Sequence, residues 1–170
     1  GVEYERCGKV VVATDATELP ALKNIEQRAL ANGVRVERIG PERLRELEPS
    51  AQGLEALWVP DTGIANFIGV CHALVRKIQA NGGEVRCRTK LERSRPIAGG
   101  VLVETNQGPI EARAVVACAG LQADRAARSL GIDTKIRIVP FRGEYHLLGE
   151  RGKQLVKNLI YPVPDPRFPF

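Results

Sequence analysis

Histidine is almost missing from this chain. Its two copies, His72 and His146, share no helical spacing, so neither a metal centre nor a Ser-His-Asp triad is expected. The four cysteines, Cys7, Cys71, Cys87 and Cys118, form no CxxC pair. That argues against a zinc ribbon or a thioredoxin-like site. Cys87 and Cys118 fall within apolar, strand-like text and are expected as small core residues, a usage that points to a reducing, cytoplasmic setting. No apolar run approaches the roughly 20 residues of a membrane helix. Residues 1–6 are polar and the first apolar run is the short Val10-Val11-Val12, so no secretory leader is expected there. The net charge of +5 does not mark a nucleic-acid partner. The basic residues are interleaved with acids, as in Pro41-Glu42-Arg43-Leu44-Arg45-Glu46, and read as a solvated mixed surface.

What remains is ordinary globular material: 44% hydrophobic and 26% charged over 170 residues, enough for one sizeable core or two small lobes. Residues 9–14 (KVVVAT) read as a strand. Residues 18–32 carry Leu19, Leu22, Ile25 and Ala29 at helical spacing, with Thr17 as N-cap, Pro20 in the first turn and Asn32-Gly33 at the end. Residues 34–39 alternate like a strand, and 41–48 form a short helix between Pro41 and Pro49. A strand at 54–59 holds the only tryptophan, Trp58, read as an anchor of its lobe. After the breaker at 60–64 comes a helix over 67–80, with Asn66 as cap, Phe67, Val70, Leu74 and Ile78 as its apolar stripe and His72 on its surface.

Residues 84–93, 101–105 and 109–112 then read as three strands of a β-meander. The apolar run 114–119 reads as a buried strand. It ends at Gly120 and feeds an alanine-rich helix that stops at Gly131. Such a strand–turn–helix presents backbone N–H groups and the positive end of a helix dipole, which suits an anion. Residues 135–148, including His146, and 155–163 return to strand-like text. The class is therefore α/β (α+β).

The order of these elements resembles the middle of the D-amino-acid-oxidase-like flavoproteins. The matching text is TGIANFIGVCHALVRKIQANGGEV, RTKLERS and ARAVVACAGLQAD. Within that superfamily the chain is similar to the L-2-hydroxyglutarate oxidase/dehydrogenase family in CGKVVVAT, ERLRELEPS, GLEALWVPDTGI, VPFRGEY and LIYPVPDPRFPF. The likeness covers nearly all of the chain.

The resemblance implies a two-domain FAD oxidoreductase. Residues 1–62 would be part of the substrate domain, 63–133 part of the FAD domain, and 134–170 truncated substrate-domain strands. It implies hydride removal from L-2-hydroxyglutarate to give 2-oxoglutarate, with a small 2-hydroxy acid as partner. Leu91 would meet the adenine end of FAD through its backbone, and Cys118, Ala119 and Gly120 the pyrophosphate or ribose. Arg142 would clamp a substrate carboxylate, its alternative being a salt bridge to Glu144. Tyr145 and Tyr161 would line the pocket, their alternative being core packing. No catalytic base is assigned.

The family's GxGxxG segment does not occur in the chain. The chain therefore reads as an internal fragment, inactive alone, with open strand edges that favour self-association. Membrane association of the whole protein is left open. The other readings are a self-contained basic α/β binding domain, or a related flavoprotein acting on an amino acid or glycerol 3-phosphate. The expected outcome for the purified 170-residue chain is little or no bound flavin, read as absorbance after gel filtration. Tight stoichiometric FAD would overturn it.

Overall fold

The computed structural model describes residues 1–165 and Arg167. The rest of the 159–170 motif, Pro166 and Phe168 to Phe170, lies outside the described residues. In chain order the elements are β1 (Tyr4–Glu5), β2 (Lys9–Ala13), α1 (Leu19–Ala31), β3 (Glu37–Ile39), α2 (Pro41–Leu47), β4 (Glu55–Val59), β5 (Ile64–Ala65), α3 (Phe67–Ala80), β6 (Leu91–Ile97), β7 (Gly100–Thr105), β8 (Gly108–Ala112), α4 (Ala123–Ser129), α5 (Glu150–Lys153) and β9 (Leu159–Pro162). The class is mixed α/β, as expected. Two compact units are formed, Gly1–Lys77 with His146–Phe170, and Ile78–Tyr145.

The first unit is built on a four-stranded sheet in the order β3-β4-β2-β9. Strand β2 runs antiparallel to β4 and parallel to β9. Its successive side chains point to opposite faces, and both faces are covered. Val10 and Val12 pack with Ile39, Leu44, Ala51 and Ala56, while Val11 and Ala13 pack with Leu22, Leu57 and Val163. That is why the strand reads as an unbroken apolar run rather than an alternation. Trp58, the expected anchor, is half-buried and packs against the first of these clusters, with the Arg43 guanidinium 5.8 Å from its ring centroid.

Helix α1 starts differently from expectation. Thr17 is not the cap. Asp15 accepts hydrogen bonds from the Thr17 amide and hydroxyl (2.8 and 2.7 Å), and Glu18 reaches back to the amides of Thr14 and Asp15 (2.7 and 3.2 Å). This capping box closes a 3-10 turn, Ala16–Glu18, that precedes α1. The amide of Thr17, followed by its hydroxyl, holds the Asp15 carboxyl below its ordinary range. Pro20 lies in the first turn of α1, and Gly33 follows at φ +70°, as the sequence led one to expect. Arg38 joins α1, β3 and β4 by pairing with Glu26 (3.3 Å) and Glu55 (2.5 Å).

Glu48, at the end of α2, is fully buried and is the only charged or polar residue in the buried class among the described residues. Its carboxylate accepts from the Lys157 amide (2.9 and 3.1 Å), the Asn158 amide and the Asn158 side chain (2.7 Å).

The second unit carries the antiparallel meander β6-β7-β8. Its first strand occupies Leu91–Ile97, not the expected 84–93. The preceding residues fold over the β7–β8 turn instead. The Lys90 amide donates to Asn106 Oδ1 (2.7 Å), and Asn106 Nδ2 and Gln107 Nε2 donate to the Arg88 carbonyl (3.1 and 3.2 Å). Arg88 adopts φ +58° within that loop.

Three further expectations are corrected. Residues 114–119 are not a buried strand: they are irregular and exposed, Val116 by 85%. A strand needs a neighbouring strand for its backbone N–H and C=O groups, and no strand of the described residues is laddered to this segment. Residues 135–148 are also irregular, and of 155–163 only Leu159–Pro162 is a strand. Cys87 and Cys118, expected in the core, are exposed because the strands that would have buried them do not form there. Helix α3 lies as predicted, with Asn66 Oδ1 capping the Gly69 amide at 3.0 Å, yet it buries no residue: Phe67 of its apolar stripe is 75% exposed.

Leu22 is fully buried on the α1 face of the sheet. Leu22→Ala is expected to cost about 2–5 kcal/mol by leaving a cavity. Urea unfolding monitored at Trp58 checks this, and an unchanged midpoint would place the core elsewhere.

Candidate functional site

The residues assigned to a cofactor lie in the second unit. Leu91 opens β6, is half-buried and pairs with Thr105. Cys118 and Ala119 end the irregular segment after β8, and Gly120 begins the 3-10 turn Gly120–Gln122 that leads into α4. Gly120 has φ +52°, and a Cβ placed on it would meet no atom within 4 Å. The backbone here is thus approachable from outside, which is the property expected of a glycine beside a bulky ligand. The helix behind it is only seven residues long and already holds a carboxylate, Asp124, in its first turn. Partial desolvation pushes the Asp124 carboxyl up. The Arg128 hydrogen bond at 3.1 Å and the Arg125 amide outweigh this and hold it below its ordinary range. Asp124 therefore occupies part of the electropositive end that would attract an external anion.

The residues assigned to substrate are divided between the units. Arg142 and Tyr145 belong to the second, in the irregular stretch before α5. The Arg142 side chain is highly exposed and pairs with Glu144 at 3.2 Å, and Tyr145 is 94% exposed. Tyr161 belongs to the first unit. It sits on β9 opposite Val11, half-exposed, with Lys9 Nζ 5.3 Å from its ring centroid. That ring forms one wall of a groove of about 330 Å³, whose floor is Val11 and Ile25 and whose rim carries Lys9 and Arg28. The groove's lining is cationic, phenolic and apolar with one amide, Asn32, and no carboxylate among the described residues. The structure thus sets Cys118 and Ala119 just before the turn that begins at Gly120, and Arg142 and Tyr145 in one irregular stretch. It places Tyr161 in the other unit.

His72 and His146 are both exposed, and no group of three metal-binding side chains occurs among the described residues. No helix of the described residues is long and apolar enough to cross a membrane.

Reading the sequence alone missed Glu48 and the Lys9–Tyr161 contact. A signal for Glu48 was present: it stands four residues after the buried Leu44, on the apolar side of α2. The loop after β9 holds another pair. Asp165 accepts from Arg167 at 2.6–3.0 Å, which, with the Arg167 amide, pushes its carboxyl down to about 2.

A family model described as FAD dependent oxidoreductase matches residues 1–170. L-2-hydroxyglutarate dehydrogenase of Salmonella houtenae is 39% identical over 170 residues, covering 99% of this chain and 40% of the relative. The mitochondrial L-2-hydroxyglutarate dehydrogenase of Caenorhabditis elegans is 42% identical over 175 residues, again 99% of this chain and 40% of the relative. The chain thus spans about 40% of the length of these curated relatives. Among solved structures, L-proline dehydrogenase from P. horikoshii superposes with a TM-score of 0.77 at 21% identity, over 95% of this chain and 44% of that one. Glycine oxidase from Geobacillus kaustophilus gives 0.75 at 20% identity, over 95% and 43%. These structural likenesses concern the fold alone.

Because the Asp165 carboxyl is depressed in the folded chain, its pairing with Arg167 contributes stability above the ordinary carboxyl pKa. That contribution is lost as the pH falls towards about 2. Carboxyl titration by NMR is expected to put the Asp165 midpoint near 2 and, in Arg167→Ala, to return it towards 3.8. An identical midpoint in both proteins would rule the pair out as the cause.

Proposed function

The chain belongs to the FAD dependent oxidoreductase family, and on that premise we propose that the protein carrying it oxidises L-2-hydroxyglutarate to 2-oxoglutarate with FAD. The observation that carries this reading is the identity of 39–42% to L-2-hydroxyglutarate dehydrogenases along 99% of the chain. In the same reading, residues 63–133 serve the cofactor, and residues 1–62 and 134–170 serve the substrate. The four free cysteines fit a reducing compartment such as the cytoplasm. The unpaired apolar residues 114–119 favour association with another chain.

Bound FAD would supply the redox chemistry, accepting a hydride from the substrate's α-carbon. The open backbone at Gly120 fits close approach of such a group; Cys118, Ala119 and Gly120 would hold its pyrophosphate or ribose, and the Leu91 backbone would meet its adenine end. The protein's own residues then have to bind and orient a dianion. Arg142 takes a substrate carboxylate in a bidentate pair. Its bond to Glu144 is solvent-exposed and therefore weak, so it is readily exchanged for a better-matched partner. Tyr145 lines the same stretch. Tyr161, its ring already beside the Lys9 ammonium, offers a phenolic hydroxyl to orient the substrate hydroxyl or a carboxylate.

In the flavin-loaded whole protein, L-2-hydroxyglutarate is expected to bleach the flavin band under anaerobic conditions. Arg142→Ala is expected to raise KM about 10- to 100-fold, the worth of a charge-assisted hydrogen bond. Bleaching only by glycine, sarcosine or glycerol 3-phosphate would move the activity to another branch of the family. A protein that takes up no flavin would sink the reading altogether.

A further inference from the structure

Glu48 has no role in the reading above, yet its setting is unlike that of any other charged group here. It is fully buried, and no cation pairs with it among the described residues. Burying a carboxylate without a counter-ion is costly unless hydrogen bonds replace its water. Here they do so entirely through N–H donors of two consecutive residues more than a hundred positions away. The Lys157 amide reaches both oxygens, and the amide and side chain of Asn158 reach Oε1. A glutamine of the same shape would turn an NH2 group towards one of these donors and lose an acceptor.

Asn158 is gripped from its other end as well. A Cβ on Gly8 would stand 2.5 Å from Asn158 Oδ1 and 3.3 Å from Trp58 Nε1, so only glycine, here at φ +76°, leaves room. The next residue, Leu159, donates its amide to the Gly8 carbonyl at 3.0 Å and begins β9. Among the described residues strand β9 is the outer strand of its sheet and has one neighbour, β2, in the register Tyr161 to Val11. An outer strand held by a single ladder is free to shift or fray unless its end is pinned. The Glu48–Asn158–Gly8 contact is that pin, and it lies three residues before Tyr161.

We propose that Glu48 is a positioning residue: it fixes the start of β9 and thereby sets the Tyr161 phenol for the substrate. This rests on the reading of Tyr161 as a substrate contact. The experiment uses the flavin-loaded whole protein carrying Glu48→Gln, Tyr161→Phe and both together. Glu48→Gln is expected to lower kcat/KM about tenfold with flavin content unchanged, the worth of one hydrogen bond to a charged group. In the Tyr161→Phe background the same change should cost less than about twofold, since residues acting as a unit are not additive. Amide exchange of residues 157–163 should accelerate in Glu48→Gln. A Glu48→Gln protein that is less heat-stable but has wild-type kcat/KM would overturn the proposal, as would a loss that multiplies in full onto Tyr161→Phe. If the wild-type protein does not turn over L-2-hydroxyglutarate, the functional reading falls. The pin is then decided by amide exchange alone: faster exchange confined to 157–163 supports it, and unchanged exchange overturns it. Should Glu48→Gln not fold, Gly8→Ala displaces Asn158 without touching the carboxylate and is expected to give the same exchange pattern; unchanged exchange in a folded Gly8→Ala protein would overturn the pin.

Discussion

Strand β2 has almost no solvent face, and the first unit is arranged to satisfy that condition. Val10 and Val12 look one way, Val11 and Ala13 the other. Two apolar layers are therefore required. Leu44 of α2 contributes to one, and Leu22 of α1 to the other. Antiparallel β4 supplies one ladder and parallel β9 the second. A parallel neighbour cannot be reached by a hairpin. In this chain it arrives only after the second unit has been made, so the sheet is completed by residues near position 160.

Polar groups are handled in two ways. Most ion pairs lie at the surface, such as Arg43 with Glu46 or Lys153 with Glu150, and contribute little. Glu48 is the opposite case: a buried carboxylate held by the amides of Lys157 and Asn158 and by the Asn158 side chain, joining the end of α2 to the start of β9. Chains of contact of this kind carry stability and geometry together, because removing one partner leaves the other desolvated and unpaired. The long-range closure of the sheet and the placement of Tyr161 depend on the same few atoms.

The Cys118–Gly120 turn and the Arg142 stretch have a different physical character. They are irregular, exposed and made of residues close in sequence. Gly120 provides an approachable backbone, while Asp124 tempers the positive end of the short helix behind it. Arg142 pairs with Glu144 at the surface, and under the proposed reading a better-matched substrate carboxylate would replace that weak pair. These are features of surfaces that gain their order from what packs on them.

Much of this was legible in the sequence. Helices α1, α2 and α3 and the turn at Gly33 follow from hydrogen bonds, caps and glycine conformations that lie within a few residues of one another. So do β7 and β8, whose partners are adjacent in the chain. It is the family resemblance that nominates Leu91, Gly120, Arg142 and Tyr161 as candidates. Their grouping into separate units could not, since no local pattern states which unit a residue joins. Where pairing depends on distant residues, the local text misled. Residues 114–119 have the composition of a buried strand but no strand beside them among the described residues, and 84–90 alternate like a strand yet fold over Asn106. Only the tertiary structure decided that Glu48, one acidic residue among many, would be buried, because its donors at 157 and 158 are joined to it by space and not by sequence.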